Sequence, residues 1–278
     1  MVRHLFFSLY VLVLAASFVH GQEALPVFRA YGSGDGLAGG TLHVTLIDSA
    51  GYLWTGAYTG LHRYDGYTFR NYLVNALDDC ALKHVQVFDL AEQNRRYLWI
   101  GTSGGLYRLD RTTDCFELFP ITTGEQRASL SVYSLQFAAD GQLHIGTQHG
   151  HRSLDLTDPA QPVLTVISER VRVENFGLWQ DQLWVAHGKY LEAVKAGKVI
   201  SSVPFPSLVR CLMPLSPDTL LVGTNEGAWF YLRGQETPVR AYPQHADLKQ
   251  VTIRGFHRGV DGRIYVATQG KGLSRFFP

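Results

Sequence analysis

The sequence predicts an all-β chain, a β-propeller of about six four-stranded blades, and three observations predict it. The phrase Leu53-Trp-Thr-Gly56 followed by Gly60-Leu-His-Arg-Tyr-Asp65 returns almost unchanged as Leu98-Trp-Ile-Gly-Thr102 and Gly105-Leu-Tyr-Arg-Leu-Asp110. Weaker copies extend the series, and Trp54, Trp99, His144, Trp184, Leu221 and Tyr265 then recur at steps of 45, 45, 40, 37 and 44 residues. A four-stranded propeller blade takes about 40–50 residues. Finally, the copies alternate apolar with polar residues, favour β-branched and aromatic side chains, and are cut by glycine too often for a helical solenoid of similar period.

The chain opens on Met1-Val-Arg-His4, then an apolar run from Leu5 to Val19, then His20 and Gly21. That is the pattern of a secretory signal peptide covering residues 1–21. A membrane anchor is the alternative, but a spanning helix needs about 20 apolar residues and this run is shorter. No cysteine follows it, so no lipid anchor is expected. The expected location is periplasmic or secreted, with residues 22–278 forming the propeller and no membrane insertion after cleavage.

The 278 residues carry 25 Lys and Arg against 24 Asp and Glu, a formal charge of +1 that falls to about zero when Arg3 leaves with the leader. A neutral exported domain lacks the basic excess that nucleic-acid binding requires, so no nucleic-acid partner is expected.

Each repeat resolves into four strand candidates, counted outward from the propeller axis. The inner ones begin near His43, Val85, Val132, Val173, Val209 and Ile253. The sixth repeat stops after its third strand, Gly272-Leu-Ser-Arg-Phe276. An orphan strand, Pro26-Val-Phe-Arg-Ala-Tyr31, is available at the other end of the chain. Either it pairs with the sixth blade and closes the ring, hiding an open edge, or the six repeats belong to a larger, seven-bladed propeller.

Three cysteines, Cys80, Cys115 and Cys211, leave at least one unpaired within the chain. A Cys80–Cys115 bridge is not expected. Cys80 lies in a loop entering an inner strand and Cys115 starts an outer strand at the opposite turn, a strand length away against a Cα limit of about 7 Å. Buried thiols are the expectation for Cys115 and Cys211.

The repeat spelling resembles the two-component regulator propeller repeat. Asp35-Gly-Leu37 leads in, Asp48-Ser-Ala-Gly51 makes the turn, Leu53-Trp-Thr-Gly56 follows, and Gly60-Leu-His-Arg-Tyr-Asp65 closes, while the second repeat matches almost letter for letter. The resemblance covers most of residues 24–278. It departs in the third repeat at His149-Gly-His151 and in the fourth at Ala186-His187. It implies a periplasmic sensor module of a hybrid two-component system, often one responding to carbohydrate breakdown products. Within these 278 residues no sandwich domain, kinase or DNA-binding region follows the repeats.

Repeated residues are architectural, whereas polar residues that do not repeat are candidates for recognition. The loops feeding the inner strands, and the turns between second and third strands, should gather on one face. There we place His43, Tyr58, His84, Ser103, His149, His151, Arg172, His187, Arg210, Asn225, Arg254, Gln269 and Lys271 as ligand-binding residues. Arg172, Arg210 and Arg254 could fork to a carboxylate or sulfate on an acidic sugar. His149-x-His151, with His187, is too sparse a set for a metal, so no metal is expected.

No catalytic signature or cofactor-binding motif is present, so no catalytic residue and no cofactor are assigned. The expected function is non-catalytic sensing of a small polar ligand, an oligosaccharide fragment above all. The expected protein partners are a second copy of the chain or a downstream histidine kinase. A secreted lyase or hydrolase using the three histidines, and a protein–protein scaffold, are the alternatives.

Overall fold

The alternating repeats build six consecutive antiparallel sheets. The computed structural model describes residues 29–39, 41–72, 77–83, 86–122, 130–158, 161–169, 171–195 and 197–276. The signal-peptide segment, His84 and the first half of the orphan strand Pro26–Tyr31 therefore lie outside the described residues. Arg29–Tyr31, the described part of that strand, carry no regular structure.

Blade 1 is β1 (Leu42–Ile47), β2 (Leu53–Ala57), β3 (Gly60–Tyr64) and β4 (Phe69–Tyr72); blade 2 is β5 (Val87–Glu92), β6 (Tyr97–Thr102), β7 (Gly105–Asp110) and β8 (Cys115–Phe119). Blade 3 is β9 (Val132–Phe137), β10 (Leu143–Thr147), β11 (Gly150–Asp155) and β12 (Val163–Ser168); blade 4 is β13 (Val173–Trp179), β14 (Gln182–His187), β15 (Tyr190–Lys195) and β16 (Lys198–Pro204). Blade 5 is β17 (Val209–Ser216), β18 (Thr219–Thr224), β19 (Gly227–Leu232) and β20 (Val239–Arg240); blade 6 is β21 (Ile253–Arg258), β22 (Ile264–Thr268) and β23 (Gly272–Phe276). Strands pair in simple sequence order within every sheet, and blade 6 has three strands among the described residues. The inner strands β1, β5, β9, β13, β17 and β21 pack as successive neighbours, which makes the six sheets the blades of a β-propeller.

Repetition sets the spacing between blades. A Cβ on Gly56, Gly101, Gly146 or Gly223 would fall 2.5–2.8 Å from Val87, Val132, Val173 or Ile253, the first residue of the next inner strand. Glycine there lets one blade lie against the next. The threonine that follows acts in the turn: Thr102, Thr147 and Thr224 Oγ1 donate to the carbonyls of Gly105, Gly150 and Gly227 at 2.9–3.0 Å. The anchors Trp54, Trp99 and Trp184 are buried between blades, as their repetition predicts.

The cores lie at the blade interfaces. Separate buried clusters join blade 1 to 2, 2 to 3, 4 to 5 and 5 to 6. At the interface of blades 3 and 4 the cluster is small, and its members Val173, Phe176, Leu183, Val185 and Val194 all belong to blade 4.

One expectation fails. Cys80 and Cys115 form a disulfide with their Cα atoms 4.5 Å apart. The connection after β4 does not run straight to β5. It descends the outer edge of blade 2, where the Cys80 carbonyl accepts the Phe116 N–H at 2.9 Å and Leu82 is fully buried among Leu109 and Phe116. Strand-to-strand distances had placed Cys80 at the wrong end of the blade. Cys211 is a free, buried thiol, its pKa pushed up to about 12 by burial.

Candidate functional site at the channel mouth

All six inner strands carry a β-bulge at the same register, one residue in from the strand start. The extra residues are His43, Phe88, Tyr133, Glu174, Arg210 and Arg254. A bulge releases one residue from the ladder and re-aims its side chain. Here it does so six times around the axis. The turns between second and third strands come to the same end: the N–H groups of Tyr58, Ser103, Gln148, Asn225 and Gln269 donate to the carbonyls of Thr41, Gln86, Ser131, Leu208 and Thr252, just ahead of the inner strands.

The bulge residues touch from blade to blade. His43 lies 4.5 Å from the Tyr58 ring and 5.3 Å from Phe88, and Phe88 lies 4.9 Å from Tyr133. The Arg172 guanidinium sits 3.8 Å over Tyr133 and bonds Glu174 at 3.1 Å. Glu174 also accepts from Arg210 Nη1 at 2.9 Å, and Arg210 Nε donates to Asn225 Oδ1 at 2.7 Å. In blade 6 Arg254 donates to Gln269 Oε1 at 2.6 Å. The mouth is thus aromatic over blades 1–3 and ionic over blades 4–6, with three guanidiniums against one carboxylate.

The pKa of His43 is lowered. The desolvation of its ring face between Tyr58 and Phe88 is the larger cause, although the residue stays accessible, and the Arg254 guanidinium adds to it. A neutral imidazole keeps one donor and one acceptor for a hydroxyl ligand.

Of the residues placed here from sequence, His43, Tyr58, Arg172, Arg210, Asn225, Arg254 and Gln269 come together at this end. Ser103 contributes its carbonyl to Ser131 Oγ at 3.0 Å, and Lys271 is exposed in the β22–β23 turn. Three histidines are placed otherwise. His149 is exposed beside Gln148. His151 is 2 % exposed and turned into the interface of blades 3 and 4, with Nε2 2.8 Å from Nδ1 of His144, while His187 pairs with Glu192 at 2.9 Å. His149 belongs to the β10–β11 turn and His151 to β11 itself, so the two do not share an environment.

Phe88, Tyr133 and Glu174 were missed. The signal that could have found them is positional: each follows the first apolar residue of its inner strand, where His43, Arg210 and Arg254 also stand.

No family model matches the sequence, and no curated protein matches it. Solved structures share the fold. The extracellular domain assigned to the hybrid two-component system BT3049 of B. thetaiotaomicron superposes with a TM-score of 0.70 at 19% identity, over 92% of this chain and 35% of that one. PorZ, a surface component of the type-IX secretion system of Porphyromonas gingivalis, gives 0.66 at 14%, over 92% of this chain and 42% of that one. A streptogramin B lyase gives 0.61 at 11%, over 85% and 83%. The chain thus spans about a third of the two-component domain it matches, and the fold it shares is the one the repeat resemblance implied.

Proposed function

We propose that this chain is the ligand-recognising propeller of an exported sensor, and that its ligand is an acidic carbohydrate fragment held at the ring of bulge residues. One observation carries the reading. A repeated backbone device presents six side chains at one register, and their chemistry is not uniform. Packing would favour one residue type there, as it does at the Trp anchors.

The aromatic arc of Phe88 and Tyr133 offers faces for a sugar ring, and the opposite arc offers forked donors to a carboxylate or sulfate. Glu174 already ties Arg172 and Arg210, so Arg254, held among the described residues through Gln269, is the guanidinium readiest to engage an anion. The Cys80–Cys115 bridge suits an oxidising, extracytoplasmic setting. Output would pass to a second copy of the chain or to a downstream histidine kinase, by ligand favouring one arrangement over another. The extracellular domains with this fold support that assignment, and no catalytic role is assigned.

Calorimetric titration tests it. Uronate-containing and sulfated oligosaccharides should give saturable heats, with Arg254→Ala and Phe88→Ala each weakening binding by about tenfold. Flat titrations over both classes, or binding indifferent to both substitutions, would overturn the reading.

A further inference from the structure

Blades 1 and 2 present the same filled layer to the blade that follows. In blade 2 Arg108 lies 5.7 Å over the Trp99 ring, Phe119 meets that ring edge-on at 4.9 Å, and the indole N–H donates to Gln93 Oε1 at 3.0 Å. In blade 1 Arg63 lies 5.7 Å over Trp54, Tyr72 stacks at 5.6 Å, and the indole donates to Asp48 Oδ2 at 2.8 Å.

Blade 3 departs at every one of these positions. Its register puts His144 where the indole stands and Ser153 where the guanidinium stands, a bulge at Ile167 breaks the outer strand where the aromatic ring stands, and Ala138 takes the place of the acceptor. All four lack the bulk or polarity of their counterparts. The space they leave is a cleft of about 530 Å³ between blades 3 and 4, lined by these four residues and walled by Leu183 and Val194 of blade 4. That volume is within the range of small-molecule sites, about 300–1,000 Å³.

The cleft also has a polar edge. His144 is only 9% exposed, its Nδ1 is taken by His151, and its Nε2 has no protein partner among the described residues. Burial lowers the pKa of both imidazoles, that of His151 to about 3, so both are neutral and Nε2 is free to accept or donate one hydrogen bond. At the rim stand the exposed Asp140 and Asp181, two carboxylates against the single ammonium of Lys195.

We infer that this cleft is a ligand site for a planar aromatic amine. Its ring stands where indole and guanidinium stack in blades 1 and 2, its N–H or O–H edge meets His144 Nε2, and its ammonium group lies at the acidic rim. The site is distinct from the channel mouth and does not depend on the sensing assigned there.

The test uses the full chain with tryptamine as the probe, followed by ligand-observed NMR and calorimetry. A ligand of this size should saturate at about 1 mM or tighter. Indole-3-acetate, which reverses the tail charge, should bind about tenfold more weakly, and butylamine, which lacks the ring, should not saturate. The double substitution His144→Trp/Ser153→Arg rewrites blade 3 in the spelling of blade 2 and should abolish binding while raising the melting temperature. Should that variant fail to fold, Thr165→Tyr, at an exposed cleft position on β12, gives a second way to fill the space and should weaken tryptamine about tenfold. Absence of saturation by any ring-bearing probe at about 10 mM, or undiminished binding in a folded cleft-filling variant, would overturn the assignment.

Discussion

The interface between blades 2 and 3 and that between blades 3 and 4 are built from the same repeat and hold together differently. The first is filled from both sides: Trp99, Leu106 and Ile121 of blade 2 meet Leu135, Leu143, Ile145 and Leu154 of blade 3 in one cluster. The second is filled from one side, because blade 3 offers His144, His151 and Ser153 to a wall of blade 4 residues. What differs is the outward face of a single sheet. A propeller tolerates this because each blade touches only its neighbours, so one interface can give up packing while the ring stands on the others.

The sharpest way to break the comparison is to truncate the same repeat position in both places. Trp99→Ala removes a fully buried indole packed against Arg108 and the edge of Phe119 and should cost about 3–5 kcal/mol. His144→Ala removes a ring that borders an existing cleft. It forfeits little packing and one hydrogen bond to His151, about 1 kcal/mol. Equal losses in urea unfolding would mean that the two interfaces are equally filled, contrary to the cavity.

Next in size is the ionic cluster that ties blade 1 to blade 2 and has no counterpart between blades 3 and 4 among the described residues. Arg111 bonds Asp48 Oδ2 at 2.7 Å and Glu92 Oε1 at 2.6 Å, and Glu92 also accepts from Ser49 Oγ at 2.8 Å. Burial alone would raise the Asp48 pKa, but the Trp54 indole, the N–H groups of Tyr52 and Ala50, and Arg111 together hold it below the usual carboxylate value. A depressed carboxylate stabilises the fold above its unfolded pKa, and that contribution disappears as pH falls through the folded value. Arg111→Ala strands two carboxylates and should cost about 3 kcal/mol at pH 7, less below pH ~4 as both take up protons. A loss unchanged by acid would remove the electrostatic account.

The covalent staple of the same region should contribute on a similar scale. Cys80 and Cys115 are 35 residues apart in sequence. Closing such a loop in the unfolded chain corresponds to about 2–4 kcal/mol, so Cys80→Ser/Cys115→Ser should lower stability by that amount. An unchanged denaturation midpoint would show that the strap along blade 2 is held by Leu82 and the Phe116–Cys80 hydrogen bond instead.

The blades were legible in the sequence because glycines, threonines and tryptophans that pack alike must be spelled alike. The turn after each second strand and the contact of Gly101 with Val132 recur because the geometry recurs. The mouth was half legible. His43, Arg210 and Arg254 stand out as polar, while Phe88 and Tyr133, equally re-aimed by the bulge, read as ordinary strand aromatics. A bulge leaves no letter of its own, only an offset between paired strands. The cleft was written as a loss: His144, Ser153 and Ala138 are each unremarkable alone and informative only when set against Trp99, Arg108 and Gln93. The disulfide was illegible because it depends on the path of a connection, and no periodicity constrains a connection.

The smallest expected effect concerns how blades 2 and 3 are tied at the axis. Asp89 of β5 accepts the Leu135 N–H of β9 at 2.7 Å and the Leu90 N–H at 2.9 Å. Its pKa is raised to about 6, because burial outweighs these hydrogen bonds and that of Ser134. A carboxyl whose folded pKa lies above the unfolded value, ordinarily about 3.9, stabilises the fold fully below that value and loses the contribution as pH rises to about 6. The partial exposure that Asp89 keeps argues for less than the full cost, about 2 kcal/mol. Asp89→Asn keeps an acceptor for Leu135 and removes the ionisation. The stability of the variant relative to the natural chain should therefore rise by about 2 kcal/mol between pH 4 and pH 6.5 and level off above that. A difference that stays flat across this window would mean that Asp89 is already solvated at neutral pH, and that the tie between blades 2 and 3 carries no buried charge.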